Sequence, residues 1–302
     1  MNDGSVSASQ EQTSDTFSFK WGKSESYGSS HMDKEWQRWL FEKYFDSDNS
    51  RLAGLFGAGS EPKKILDAGC GAGKSAMLLF GQHLLQHDYF GVDVSDSVNV
   101  ASEAFRKAGL IGTFAQADLA QVPDQFGNFD IIFSEGVLHH TDSVEDSILA
   151  LAGRLNPGGT FLFYVYSRKA PVREFTDDFI RSQLSELSDE EAWEALLPLT
   201  KFGKNLGDLG IEIEVEEDIP LLGIEKGSYD LQRLVYYSFF KAYFRPEYSL
   251  EEMNHINFDW FRPLNCHRHS PEEVASYCLA AGLEVSRLNV EPSGITVIAH
   301  KS

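Results

Sequence analysis

The chain has 302 residues, 42% of them hydrophobic, and a formal net charge of -20. Such length and apolar content suit a globular protein with a full core, built as one large domain or as a domain with a substantial insert. The charge argues against non-specific binding to bulk nucleic acid or an anionic membrane; the three scattered cysteines, Cys70, Cys266 and Cys278, form no disulfide framework, and without an apolar signal core or a bilayer-length apolar run the expectation is a cytoplasmic protein.

Residues 1–16 are rich in Ser, Gln, Asn and Asp, and read as a disordered tail. Residues 17–60 open with the aromatics Phe17, Phe19 and Trp21, a strand or clasp against the core, or else a flap over a bound ligand. A helix over Asp33–Phe45 follows, with Trp36, Trp39, Leu40 and Tyr44 on one face. Residues 61–168 alternate strands with helices. The strands are Lys64–Ala68, Asp88–Asp93, Gly112–Ala117, Phe129–Ser134 and Thr160–Tyr166. The helices are Ser75–Leu85, Ser97–Ala108 and Ser143–Leu155, and Asn156–Gly159 is a turn. That rhythm specifies a doubly wound α/β fold with a mostly parallel sheet. Residues 169–265 break the rhythm. They hold helical segments at Asp189–Leu197 and Tyr229–Tyr243 and a strand-like run at Ile211–Val215, and read as a largely helical cap insert. Residues 266–302 close the core with the helix Pro271–Ala281 and a hairpin, Glu284–Val290 and Gly294–His300.

The centre of the pattern is Lys64-Ile65-Leu66-Asp67-Ala68-Gly69-Cys70-Gly71-Ala72-Gly73-Lys74, an apolar strand that breaks into three alternating glycines before a helix. Glycines let the backbone turn tightly and leave room for a ligand at the strand's carboxyl end. Three readings compete. Gly71 to Ala76 fits a relaxed dinucleotide fingerprint, and Ala68 to Ser75 nearly fits a P-loop. The third is a nucleoside site built on Asp-x-Gly-x-Gly-x-Gly. A P-loop enzyme needs a second acid at the end of a later strand, yet the fourth strand begins with Asp130 and ends in Ser134. A dinucleotide site uses Asp93, about 20 residues beyond the glycines, but gives no account of Asp118.

The words ILDAGCGAG, YFGVDVS, AQADLAQ, FDIIFSEGVLHHTD and RLNPGG, in this order, resemble the class I S-adenosylmethionine-dependent methyltransferases of the type 11/12 kind. The likeness is tight over Lys64–Tyr166 and loose over the carboxyl-terminal helix and hairpin. It implies a Rossmann-like seven-stranded sheet and S-adenosylmethionine as cofactor, with S-adenosylhomocysteine as product. It further implies that Asp67, Gly69, Cys70 and Gly71 lie beside the methionine part and that Asp93, with Val94, takes the ribose hydroxyls. By the same likeness Asp118 accepts from the adenine amino group, with Leu119 presenting backbone, and Ser134 and Gly136 line the sulfonium side. Trp21 is the candidate flap residue. The bland alternative makes Asp93 and Asp118 strand-end caps.

Transfer from a sulfonium needs an acceptor held in line and a base where the acceptor carries a proton. His139 and His140 follow the fourth strand; either can act as base, with His140 preferred, or both can simply shape the turn. Cys266-His267-Arg268-His269 matches zinc spacing poorly, so no metal is expected. Tyr166, Arg173, Trp260, Arg262, His267 and Arg268 read as a lining beneath the insert for a small anionic acceptor, with Arg262 or Arg173 reaching it, or as residues that fix the insert to the core. A macromolecular acceptor (tRNA or protein) and a non-catalytic cofactor-binding protein stay open. The sequence leaves the oligomeric state unknown.

Overall fold

The computed structural model describes residues 7–22, 30–57 and 61–302. Three helices come first: α1 (Ala8–Gly22), α2 (Ser30–Phe45) and α3 (Asn49–Phe56). The alternating core runs β1 (Lys64–Ala68), α4 (Lys74–Phe80), β2 (Asp88–Asp93), α5 (Val98–Lys107), β3 (Thr113–Gln116), β4 (Phe129–Glu135), α6 (Val144–Gly153) and β5 (Leu155–Tyr166). Then come α7 (Pro171–Leu184), α8 (Asp189–Asp208), β6 (Glu212–Val215), β7 (Gly227–Asp230), α9 (Leu231–Ser238) and α10 (Leu250–Phe261). The chain closes with α11 (Pro271–Ala280), β8 (Leu283–Val290) and β9 (Gly294–Lys301).

Seven strands form one sheet in the order β3-β2-β1-β4-β5-β9-β8, and β6 pairs with β7 apart from it. The five strands β1 to β5 pair in parallel, and only the last hairpin, β8 and β9, runs antiparallel to its neighbours. The central strands are apolar on both faces because helices cover both. Leu66, Ile132, Phe161 and Phe163 pack on one side, with α6 and α11. Ile65, Ile131, Phe133 and Leu162 pack on the other, with α2 and α4. Sheet order reverses between β1 and β4, which puts a crevice at the carboxyl ends of those strands.

Three expectations are corrected by these elements. Residues 8–16 are helix, not disordered tail, and Phe17 to Gly22 continue that helix rather than forming a strand. Its buried positions Gln10, Thr13, Thr16 and Lys20 recur at helical spacing, but they are polar, so no apolar stripe announces the helix. The expected turn at Asn156–Gly159 lies inside β5 as an irregularity: pairing passes from Phe129 with Leu155 to Ile131 with Thr160.

The chain divides into two compact units. One comprises the sheet, its helices, α1 and residues 267–302; the other contains Arg168–Cys266. In the second, α8 and α10 begin with reciprocal caps, Ser188 with Glu191 and Ser249 with Glu252. A buried polar knot joins them: Thr200 donates to Asn254 Oδ1 (2.6 Å), and Asn257 Nδ2 donates to Thr200 (2.9 Å). Among the described residues no helix is long and apolar enough to cross a membrane.

Candidate cofactor site at the crevice

The loop after β1 is held from two sides. Gly69 and Cys70 donate their N–H groups to the Val92 carbonyl (2.7 and 3.0 Å), and Gly71 donates to Asp93 Oδ2 (2.8 Å). Gly69 has φ +83°, and a methyl group there would overlap the Val137 side chain. A methyl group on Gly71 would meet the Trp21 indole at 3.0 Å. Only glycine allows both this backbone path and this approach.

Asp93 is nearly buried, and its Oδ1 also accepts from Ser95 N–H and Oγ (2.9 and 2.6 Å). A carboxylate offers about four lone-pair positions. Asp93 fills three with its own loop, so one remains on the side of Gly71. Asp118 uses Oδ1 to cap the turn that follows it, accepting from Ala120 N–H at 2.7 Å; its other oxygen has no partner among the described residues. Gly136, just past β4, faces open space.

Helix α1 lies across these loops. Ser14 Oγ donates to the Val94 carbonyl (3.3 Å), Trp21 reaches Gly71, and Phe17 stands edge-on to His140 with ring centroids 5.1 Å apart. At the start of α1, Ser7 Oγ donates to Asp142 (2.7 Å).

Beneath the loop is a buried polar layer. Tyr89 donates to Asp67 Oδ2 (2.6 Å), and burial pushes the Asp67 carboxyl up to about 7, helped by the nearby charges of Asp93 and Glu135 and opposed by the tyrosine. Glu135 accepts from Tyr44 (2.7 Å) and pairs with Lys43, whose ammonium lies 3.5 and 3.9 Å from the Trp39 and Tyr164 ring centroids. Burial lowers Lys43 to about 8 despite Glu135. The sequence words contain Asp67, Tyr89 and Glu135, but nothing in them marks Lys43 as their partner.

Past β4 and β5, His139 stacks on Tyr166 (3.6 Å between centroids), and His140 stands 5.6 Å from the same ring. The His139 carbonyl accepts from His267 N–H (2.8 Å). Tyr166, His140 and His267 are thus brought together.

Other expected residues fall elsewhere. Ser134 is fully buried and donates to the Ala68 carbonyl (2.8 Å), so its hydroxyl ties β4 to β1 instead of facing a sulfonium. The Cys70 thiol packs into the core with Val98 and Ala101, and burial pushes it well above the ordinary thiol range, so its side chain is structural. Leu119 likewise turns its side chain into the core, which leaves only its backbone for a ligand.

Within the helical unit, Arg262 donates to Asp189 (2.7 Å) and to the Leu187 carbonyl (2.8 Å). It clamps the start of α8 to the end of α10, which corrects its expected role as the acceptor's anchor. Arg173 donates to Asp177 (3.1 Å) between the rings of Tyr236 and Trp260.

The donor set fits S-adenosylmethionine. The glycine loop leaves a close backbone surface, and Asp93 and Asp118 each keep an acceptor position at a strand end. Opposite them Gly136 leaves space. Residues 66–163 match the family model described as a methyltransferase domain. An uncharacterized protein of Synechococcus sp. is 35% identical over 120 residues, covering 38% of this chain and 28% of its own length. A tRNA U34 carboxymethyltransferase of Vibrio cholerae is 30% identical over 138 residues, covering 44% of this chain and 38% of its own. The match therefore spans about a third of the length of these curated relatives. The solved magnesium protoporphyrin IX methyltransferase of Synechocystis, which has its S-adenosylmethionine bound, shares the fold over 100% of both chains, with a TM-score of 0.51 and 13% identity. Residues 66–163, the strand-and-glycine core, are thus similar to the methyltransferase-domain family, and the fold is the one a solved S-adenosylmethionine-dependent methyltransferase also has.

Proposed function

We propose that the protein is an S-adenosylmethionine-dependent methyltransferase whose acceptor is a small anionic molecule. The observation that carries the cofactor reading is the Asp93 carboxylate, which holds the glycine loop through Gly71 while keeping one acceptor position at the end of β2. That position suits a ribose hydroxyl. Asp118 Oδ2 suits an adenine amino group, and the backbone of Gly69 and Gly71 the methionine part. The bound cofactor supplies an electrophilic methyl group.

The chain's own residues do the rest. Trp21 and Phe17 on α1 lie over the loop and over His140 and exclude water there. His140, held between Phe17, His139 and Tyr166, is the candidate base for an acceptor that must lose a proton. Within the helical unit, Arg173 is the group suited to an anionic ligand, since a planar guanidinium matches a carboxylate or phosphate.

Calorimetry tests the cofactor reading: S-adenosylmethionine and S-adenosylhomocysteine are expected to bind, and ATP and NAD to give no heat. Tight ATP binding without S-adenosylmethionine binding would end it. Mass spectrometry of cell extract incubated with the protein then looks for S-adenosylhomocysteine, which a non-catalytic binder would not produce.

A second reading rests on the tRNA U34 carboxymethyltransferase relatives, which favour a nucleic-acid acceptor. The charge of -20 opposes bulk binding. Filter binding of tRNA at low salt, with micromolar affinity that falls steeply as salt rises, would revive it.

A further inference from the structure

The helical unit gathers four cations around one buried tryptophan. Around the buried Trp260 indole lie Lys241 (4.8 Å to the ring centroid), Arg181 (5.0 Å), Arg173 (5.2 Å) and Lys169 (5.5 Å). This occurs in a chain whose net charge is -20.

The acids nearby are already engaged. Asp177 accepts from Arg173 Nε and Trp260 Nε1 through Oδ2, and from the Lys241 backbone through Oδ1. Asp178 pairs with Arg181, and Glu174 accepts from the Lys169 backbone. Asp259 acts on Lys241 only at a distance.

Two cations are left with donors to spare. Arg173 is 2% exposed, and beyond Nε its guanidinium makes no hydrogen bond with a described residue. Lys241 is 6% exposed, and its ammonium makes no hydrogen bond or ion pair with a described residue, only the contact with the Trp260 face. The Asp177 carboxylate that pairs with Arg173 also serves Trp260 and the Lys241 backbone, and burial with the Arg173 charge pulls the Lys241 ammonium down to about 7 despite Asp259 and Asp177. A fold tolerates two such groups side by side when a ligand supplies the missing charge.

We infer that Arg173 and Lys241, backed by Trp260, form an anion-binding site in the helical unit that takes a carboxylate or phosphate group. The guanidinium presents its fork to two oxygens of one group, and the ammonium, as a point charge, contacts the same group. The inference deepens the reading of a small anionic acceptor and rests on it only for the ligand's role, not for its binding.

The test uses the full chain at mildly acidic pH, where the ammonium is charged. Inorganic phosphate and acetate are titrated separately by calorimetry and thermal unfolding, against chloride at matched ionic strength. Saturable binding of at least one anion is expected, and the arm that binds tells phosphate from carboxylate. Lys241→Met keeps the stem over the indole and removes the charge. It is expected to weaken that anion roughly tenfold or more, and to raise the melting temperature in chloride alone. Absence of saturable binding in the unsubstituted protein overturns the inference, even if the variant fails to fold, and so does equal binding by Lys241→Met. S-adenosylmethionine titrated in parallel separates the two readings: its heat survives if only the anion site fails, and the anion's heat survives if only the cofactor reading fails.

Discussion

The crevice and the Trp260 cluster treat buried charge in opposite ways. Under the glycine loop each buried acid has partners from the chain: Tyr89 for Asp67, Gly71 and Ser95 for Asp93, Lys43 and Tyr44 for Glu135. Around Trp260 the outer nitrogens of Arg173 and the ammonium of Lys241 make no hydrogen bond with a described residue. The first region is preorganised, and its ligand meets groups already fixed in place. The second is completed only by an anion. The contrast has a consequence for mutation: substitutions in the crevice should lower stability without any ligand, whereas removing the Lys241 charge should not.

The largest effect should come from the loop. Gly69→Ala puts a side chain at φ +83° and drives it into Val137. Backbone strain and overpacking together cost about 2–5 kcal/mol. Denaturant unfolding should show that loss, and adding Val137→Ala should recover the overpacking part alone. Unchanged stability in Gly69→Ala would mean the loop is not held as described.

Next is Arg262→Ala. Because Arg262 clamps Asp189 and the Leu187 carbonyl, removing it leaves a largely buried carboxylate and costs about 3 kcal/mol. The expected loss is in stability of the helical unit, with turnover per folded molecule unchanged. A sharp fall in turnover with intact stability would restore Arg262 as an acceptor ligand.

How far the sequence reveals these regions follows from where the signal lies. Strand β2 spans the predicted Asp88–Asp93, and the glycine loop is visible because it depends on local backbone geometry. Helix α1 is hidden, since Gln10, Thr13 and Thr16 form its buried face and hydrophobic periodicity has nothing to detect. Ser134 and Arg262 carry plausible residue types, but their partners, the Ala68 carbonyl and Asp189, are fixed by tertiary packing. Lys241 sits in no motif at all; only the fold puts it over Trp260.

Asp93→Asn should have the next largest effect. The amide keeps the shape but loses the charge that strengthens both the loop bonds and the one remaining acceptor position. One charge-assisted hydrogen bond to a ligand is about 1.5–3 kcal/mol, so S-adenosylmethionine affinity should fall roughly tenfold to a hundredfold. Calorimetry measures it directly, and unchanged affinity would make Asp93 a strand-end cap and nothing more.

The last effect is a slope, small within any one pH unit. Asp67 titrates near 7 in the folded protein, against an ordinary value of 3.8. Between those values the folded state holds more protons at this site than the unfolded state, so the site's contribution is complete at low pH and is lost as pH rises through 7. One such group bounds its share of the slope at about 1.4 kcal/mol per pH unit. Asp67→Asn keeps an oxygen to accept from Tyr89 and removes the titration, so its stability should fall less between pH 4 and 7. Lys43 acts at higher pH and in the other direction. Its value of about 8, against 10.5, makes the folded state hold fewer protons between those values, so that group favours folding as pH rises there. Urea unfolding across both windows separates the two. Equal slopes for the parent protein and Asp67→Asn would show that Asp67 is ionised throughout, and the polar layer under the loop would then carry a charge that Tyr89 alone does not balance.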